Sequence, residues 1–129
     1  MSDWRELRET AQGAMARAYA PYSGFRVGVA LECDDGNVFE GVNVENSSYG
    51  LTICAERSAV VAAVTSGRKR FSRIAIWTEA EAPVAPCGAC RQVLAEFAPN
   101  LHVLSVYSGG EKEWTLGELL PAPFHLGGE

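Results

Sequence analysis

The sequence predicts an α/β fold, a three-layer α/β/α sandwich built on a mixed, five-stranded sheet. Three observations carry that expectation. The 129 residues match one domain on the usual length scale. Hydrophobic residues make up 47% and charged residues 21%, proportions that sustain a core and exclude disorder as the main state. Helical and strand periodicities alternate after one early hairpin signal, which implies a mixed sheet with helices packed on its faces.

Trp4, Leu7, Ala11, Ala14, Met15 and Ala18 recur every three or four residues. That spacing predicts a helix over roughly residues 3–19, stopped by Pro21. Phe25, Val27, Val29, Leu31 and Cys33 then alternate with Arg26, Gly28, Ala30 and Glu32, the pattern of a strand with one apolar face. Asp35-Gly36 marks a hairpin turn, and a second strand follows over 38–44. Residues 45–53, rich in Asn, Ser and Gly, read as a polar loop. From 54 to about 66 the pattern is helical, and residues 58–64 are small or apolar almost all the way round, so this helix is expected to be buried on most sides. Gly67 ends it. Further strands are expected at 73–78 and 101–107, with a helix over 88–97 between them. A short strand at 112–115 and a turn of helix at 117–120 complete the pattern. No repeat, low-complexity tract or linker divides the chain, so residues 1–129 are expected to form one domain.

Eleven basic and sixteen acidic residues leave a net charge of −5. Such a surface disfavours a nucleic-acid partner. No run of apolar residues is long enough for a membrane span. The opening Met-Ser-Asp-Trp-Arg-Glu lacks the pattern of a secretory signal. A cytoplasmic protein is expected, where disulfides are rare. Its four cysteines therefore point to metal or catalysis before cross-links.

Two fragments stand out, Thr52-Ile53-Cys54-Ala55-Glu56-Arg57 and Ala85-Pro86-Cys87-Gly88-Ala89-Cys90-Arg91. Each begins a predicted helix, where unpaired N–H groups and partial positive charge stabilise thiolates. Cys87 and Cys90 have the spacing of many zinc sites, and Cys54 can add a third ligand. Three protein ligands leave one position of a tetrahedral zinc open, as catalysis requires. Cys33, eight residues beyond Phe25, would lie roughly 26 Å from that end of its strand and reads as a buried core thiol. Cys54 and Glu56 point about 200° apart on a helix, so both address one metal only if it sits off the helix end. Arg57 returns to the face of Cys54. Its charge would offset the excess of three thiolates over one zinc ion. Taken singly, Cys-Ala-Glu carries little information, and Pro-Cys-x-x-Cys also fits redox pairs and structural zinc sites. The combination favours catalytic zinc.

Five separated segments also resemble the small homotetrameric cytidine deaminases. They are Ala20-Pro21-Tyr22-Ser23-Gly24-Phe25-Arg26-Val27-Gly28, Gly41-Val42-Asn43-Val44-Glu45-Asn46, Cys54-Ala55-Glu56-Arg57, Pro86-Cys87-Gly88-Ala89-Cys90-Arg91-Gln92 and Leu119-Leu120-Pro121-Ala122-Pro123-Phe124. The resemblance implies a cytidine deaminase-like fold and one catalytic domain over residues 1–129. It implies hydrolytic deamination of cytidine and deoxycytidine to uridine and deoxyuridine, a step of pyrimidine salvage. Cys54, Cys87 and Cys90 would bind one Zn2+ per subunit, and the activated water would attack C4 while Glu56 carries the protons. Where base-deaminating relatives place a histidine ligand, this chain has Cys54. Phe25 would lie against the base, Asn43 and Glu45 would bind the ribose hydroxyls, and the Ala55 backbone would hold the pyrimidine edge. Arg57 would contact the ligand sulfurs. In the implied tetramer Ser47, Tyr49 and Phe124 would complete a neighbouring subunit's pocket. Ser47 is a departure, since the family usually has alanine there. From the residues alone, Phe25 and Phe124 read as core side chains.

Other features read more simply. Arg68-Lys69-Arg70, with Arg73, reads as a solvated helix end complementing the helix dipole. Asn46-Ser47-Ser48 matches a glycosylation acceptor that a cytoplasmic chain would not use. His102 reads as a strand residue facing water or a partner, and His125 as part of a mobile tail. Two alternatives to cytidine deamination stand beside the main reading. One is a deaminase of another cytosine nucleoside such as blasticidin S, against which Glu45 argues. The other is a structural-zinc interaction module without chemistry. A thioredoxin-like redox pair would leave Cys54 and Glu56 without a role.

Overall fold

The structure is a computed structural model and describes residues 4–126. Residues 1–3 and 127–129, which the expected domain and the start of the first helix include, lie outside the described residues. Helix α1 (Arg5–Met15) leads into strands β1 (Val27–Cys33) and β2 (Val38–Val42) and a 3-10 turn (Tyr49–Leu51). Then come α2 (Ala55–Thr65), β3 (Phe71–Thr78), α3 (Gly88–Phe97), β4 (His102–Tyr107), β5 (Gly110–Thr115) and α4 (Leu116–Leu119). This is the element order that the periodicities predict. The five strands lie in the order β2-β1-β3-β4-β5. Only β3 and β4 are parallel among these neighbours, so the sheet is mixed as expected.

The pleat sorts residues between two unequal layers. Val29, Leu31, Ile74, Ile76 and Val103 face α2 and α3 in the main core, with Ala59, Val60, Ala63 and Leu94 against them. Ala30 and Ala75 face the other way, against Leu7 and Ala11 of α1. Small residues on that side let α1 lie close. A Cβ on Gly28 would fall 2.1 Å from the Ala11 carbonyl oxygen, so glycine is required there. Both sheet faces are thus covered, which makes the three layers.

Several boundaries differ from the periodic pattern: β3 and β5 each begin two residues early, at Phe71 and Gly110, and three others shift for a hydrogen-bonding reason. The first helix ends at Met15, not at 19. The backbone of Tyr19 bonds instead to the Asn43 carbonyl and the Glu45 N–H, forming a bridge with Val44. The first strand begins at Val27, not at Phe25. The Asn43 side chain takes the place of a ladder partner: Oδ1 accepts from the Val27 N–H at 2.9 Å and Nδ2 donates to the Phe25 carbonyl at 2.8 Å. The second strand stops at Val42, and Val44 makes only single bridges to Tyr19 and Ile53.

Arg73 is not part of a solvated helix end. It lies within β3, only 4% exposed, opposite Glu32 of β1. Its Nε and Nη2 donate to the two Glu32 oxygens at 2.7 and 2.9 Å, and its guanidinium stacks 4.9 Å from the Trp4 ring. Arg68 pairs with Asp35 at 3.2 Å. His102 and His125 are both exposed.

Glu32→Gln should destabilise the protein by about 2–3 kcal/mol, less than a fully buried pair because the carboxylate keeps partial exposure. Hydrogen bonding from Arg73 holds the Glu32 carboxyl below its ordinary range. Its contribution is therefore complete above the unfolded-state pKa and lost as pH falls through the lower folded value. Urea unfolding of parent and variant should converge in strongly acidic buffer. A gap that persists there would show that the carboxylate charge is not the source.

Candidate active site

The site forms where the end of β3 meets the start of β1 and the N-termini of α2 and α3. Carboxyl ends of parallel strands commonly form such ligand crevices. Cys54 is the N-cap of α2 and Cys87 the N-cap of α3, both with extended backbones. Cys90 lies in the first turn of α3 and is fully buried. The sulfurs of Cys54 and Cys87 are 3.9 Å apart, and all three thiols lie within 4.8 Å of one another. Tetrahedral thiolates on zinc stand about 3.8 Å apart, given a Zn–S bond of about 2.3 Å. The donor set therefore fits one zinc ion. Cys33 lies at the opposite end of β1, buried and not part of the cluster. Burial pushes its thiol pKa up, as a core thiol requires.

Electrostatics point the same way. Hydrogen bonding from Cys90, then from Arg57 and Cys87, brings the Cys54 thiol down to about 5. The Arg57 Nη2 donates to the Cys54 sulfur at 3.5 Å. Its Nε is buried with no hydrogen-bond partner among the described residues. A guanidinium held in this way suits an anionic thiolate cluster. Glu56, in the first turn of α2, is 7% exposed. Burial pushes its carboxyl up to about 7.

Phe25, Asn43, Cys54, Ala55, Glu56 and Cys87 line one cavity of about 250 Å³, the scale of a heterocyclic base rather than a large ligand. Glu45 and Tyr49 line an adjoining cleft with Tyr22, Ser23 and Asn46, and Thr52 borders both spaces. The Glu45 Oε1 accepts from the backbone N–H groups of Tyr22 and Ser23 at 2.9 and 3.0 Å, and Oε2 from the Ser23 hydroxyl. These bonds keep its carboxyl below the usual range, the Ser23 hydroxyl contributing most. Ser47 is exposed, and so is Phe124, at 69%. Neither lines the cavity of its own chain.

A family profile described as the cytidine and deoxycytidylate deaminase zinc-binding region matches residues 1–106. The chain belongs to this family. Among its deaminase relatives, the cytidine deaminase of Halalkalibacterium halodurans is 47% identical over 124 residues, covering 95% of this chain and 94% of that protein. The cytidine deaminase of Sporosarcina psychrophila is 44% identical over 124 residues, covering 95% and 91%. The crystal structure of cytidine deaminase from Burkholderia pseudomallei superposes with a TM-score of 0.92 at 46% identity, covering 95% of this chain and all of that one. The α/β fold is the cytidine deaminase fold.

Several walls of this cavity escaped the sequence reading: Val27, Thr52, Ile76, Thr78 and Val84. Thr52 sits within the quoted Cys54 fragment, and Ile76 and Thr78 end a predicted strand. Only the position of Ile76 and Thr78 at that strand's end could have marked those two, and Val84 lies in an irregular segment that carries no signal.

A Cβ on Gly41 would lie 2.3 Å from the Ala55 carbonyl oxygen and 2.6 Å from the Ala59 nitrogen. Gly41→Ala should therefore push the first turn of α2 away from β2. A loss of at least about 1–3 kcal/mol is expected, together with weaker metal retention, since Cys54 and Glu56 ride on that turn. Thermal unfolding and metal content after gel filtration check both effects. Unchanged metal content would separate the glycine from the site.

Proposed function

We propose that this protein hydrolyses cytidine and deoxycytidine to uridine and deoxyuridine with release of ammonia, residues 1–129 forming one catalytic domain. The observation that carries this reading is the meeting of three thiols and a buried carboxyl, Glu56, at one small cavity. A structural zinc site would call for a fourth protein ligand, and no carboxyl beside it.

Cys54, Cys87 and Cys90 hold the zinc. When bound there, zinc supplies a Lewis acid that brings the pKa of water towards about 7. Glu56 takes a proton from the attacking water and delivers it to N3, then takes the proton of the new hydroxyl at C4 and gives it to the departing amine. One carboxyl serves both relays because each take-and-give pair leaves it ionised again. Its burial, which brings its pKa to about 7, suits both directions of transfer near neutral pH. Phe25 packs on the base, and the Ala55 backbone holds the pyrimidine edge. Asn43 and Glu45 bind the ribose hydroxyls, Thr52 bordering the spaces that base and sugar occupy. Arg57 offsets the thiolate charge. The ionised Glu45 disfavours a 5′-phosphate, so nucleosides are the substrate class.

We further infer a homotetramer in which Ser47, Tyr49 and Phe124 close a neighbour's pocket. Val44, Leu51 and Ile53 are exposed beside Tyr49, itself 78% exposed. The Val44–Ile53 bridge brackets the 3-10 turn that holds Tyr49 and Leu51. An apolar run of that kind marks an interaction surface. The protein works in the cytoplasm, where reducing conditions keep clustered thiols available to metal. Among the described residues no helix is long and apolar enough to cross a membrane.

The first test incubates zinc-loaded protein with cytidine or CMP and follows uridine compounds and ammonia, with and without a zinc-stripping chelator. Cytidine should be consumed in preference, and only with metal present. Glu56→Gln should keep its zinc and lose about 10²–10⁴-fold in turnover. Near-full turnover in that variant would remove Glu56 from the mechanism, and a preference for CMP would overturn the nucleoside assignment. Light scattering on eluting protein should give four times the chain mass. A monomer with full activity would end the shared-pocket reading.

A further inference from the structure

Of the three zinc-binding thiols, Cys87 has the least packing to hold it. Cys90 is buried and Cys54 half-buried, but Cys87 is exposed. The chain leading into it, residues 79–87, has no helix or strand. Its position depends on a few hydrogen bonds. The Val84 N–H donates to the Ser105 hydroxyl oxygen at 3.0 Å, and the Arg91 Nε donates to the Pro86 carbonyl at 2.7 Å. That carbonyl belongs to the peptide plane joining Pro86 to Cys87. Fixing it fixes the direction from which Cys87 leaves the backbone.

Arg91 also grips the other side of the same residue. Its main-chain N–H donates to the Cys87 carbonyl at 2.9 Å. Its guanidinium is itself anchored, Nη1 donating to the Leu119 carbonyl at the end of α4 at 2.9 Å. Two donors in one rigid plane are thus spent on two carbonyls far apart in sequence, an arrangement a lysine cannot reproduce. The next residue holds the segment beyond α4 separately. The Gln92 amide donates to the Phe124 carbonyl at 2.9 Å and accepts from its N–H at 3.1 Å.

We propose that Arg91 is a positioning residue for Cys87: by holding the Pro86 carbonyl against the end of α4, it sets how firmly the three-thiol site keeps its zinc. The inference rests on the zinc reading of the site but not on which nucleoside is deaminated. It predicts a division of labour between neighbours, with Arg91 serving the metal and Gln92 serving the C-terminal segment.

The test is zinc transfer from loaded protein to a chromophoric chelator, in the parent and in Arg91→Ala, Arg91→Lys and Gln92→Leu. Loss of a residue that orients a ligand typically weakens metal binding about 10–100-fold, so Arg91→Ala should release zinc at least about tenfold faster. Arg91→Lys should fall between it and the parent, and Gln92→Leu should stay near the parent rate. Melting temperatures with and without zinc supply the second readout. The stabilisation conferred by zinc should shrink in Arg91→Ala, because a ligand stabilises only as strongly as it binds. Parent-like release from Arg91→Ala would overturn the proposal. So would an equal drop in melting temperature with and without zinc, or release from Gln92→Leu as fast as from Arg91→Ala. No nucleoside enters the measurement, so the result stands whether or not cytidine is turned over.

Discussion

A side chain at position 41 would collide with Ala55 and Ala59, so β2 and the first turn of α2 meet backbone to backbone. The α2 half of the site follows from that approach. It sets the height of Cys54 at the helix N-cap and of Glu56 within the first turn. The small residues Ala59 and Ala63 then let α2 settle into the main core beside Leu94 and Ala95 of α3. That settles the distance between the two helix starts, and the hydrogen bond from Arg91 to the Pro86 carbonyl then helps to place Cys87 3.9 Å from Cys54. A metal site needs its ligands correct to a few tenths of an ångström. Here that accuracy comes from packed backbone and short side chains at Cys54 and from hydrogen bonds at Cys87, not from the ligands themselves.

The same packing creates an electrostatic strain that metal would relieve. Three thiols and a carboxyl crowd together beside the Arg57 guanidinium. The neighbouring thiols respond by dividing unequally. Cys54 is held low and Cys90 is pushed up, its hydrogen bond to Cys54 being the first cause. A divalent ion would permit all three to be thiolates at once. Arg57, with a buried Nε lacking a partner, is placed for a more negative centre than three free thiols provide. The cluster is therefore organised for a charge state reached only when loaded.

Much of this architecture was legible because the periods of 2 and 3.6 are enforced by burial, and both sheet faces here are buried. Alternation from Val27 to Cys33 and the near-continuous apolar pattern of α2 leave little ambiguity. The thiol fragments were legible because Cys54 and Cys87 coincide with helix starts. What escaped detection was decided by contacts between residues distant in sequence. Apolar spacing runs on through Ala18, but bonds from the Tyr19 backbone to Asn43 and Glu45 end α1 earlier. Arg73 follows three basic residues and looks like their continuation. Its burial depends on Glu32, forty-one residues away in sequence and adjacent only through the β1–β3 register. Cavity walls such as Ile76 and Thr78 are ordinary strand residues, and nothing in their identity marks them.

Asn43 shows how one side chain can serve fold and site together. Its amide offers two N–H donors and a carbonyl oxygen with two lone pairs. The bonds to Val27 and Phe25 use one donor and one lone pair. They close the end of the sheet, hold Phe25 just outside the strand, and fix the orientation of the amide. One donor and one lone pair remain, on a group that already lines the cavity. A hydroxyl arriving there meets a partner whose rotamer entropy was lost on folding, so ordering it costs little at the moment of binding. The loop around Ser23 does the same for Glu45, whose carboxylate is held by two backbone N–H groups and a hydroxyl. Both polar groups are preorganised by bonds to the same short segment, residues 22–27. That segment also carries Phe25, so the apolar and polar contacts proposed for the nucleoside are set by one piece of backbone and would move together.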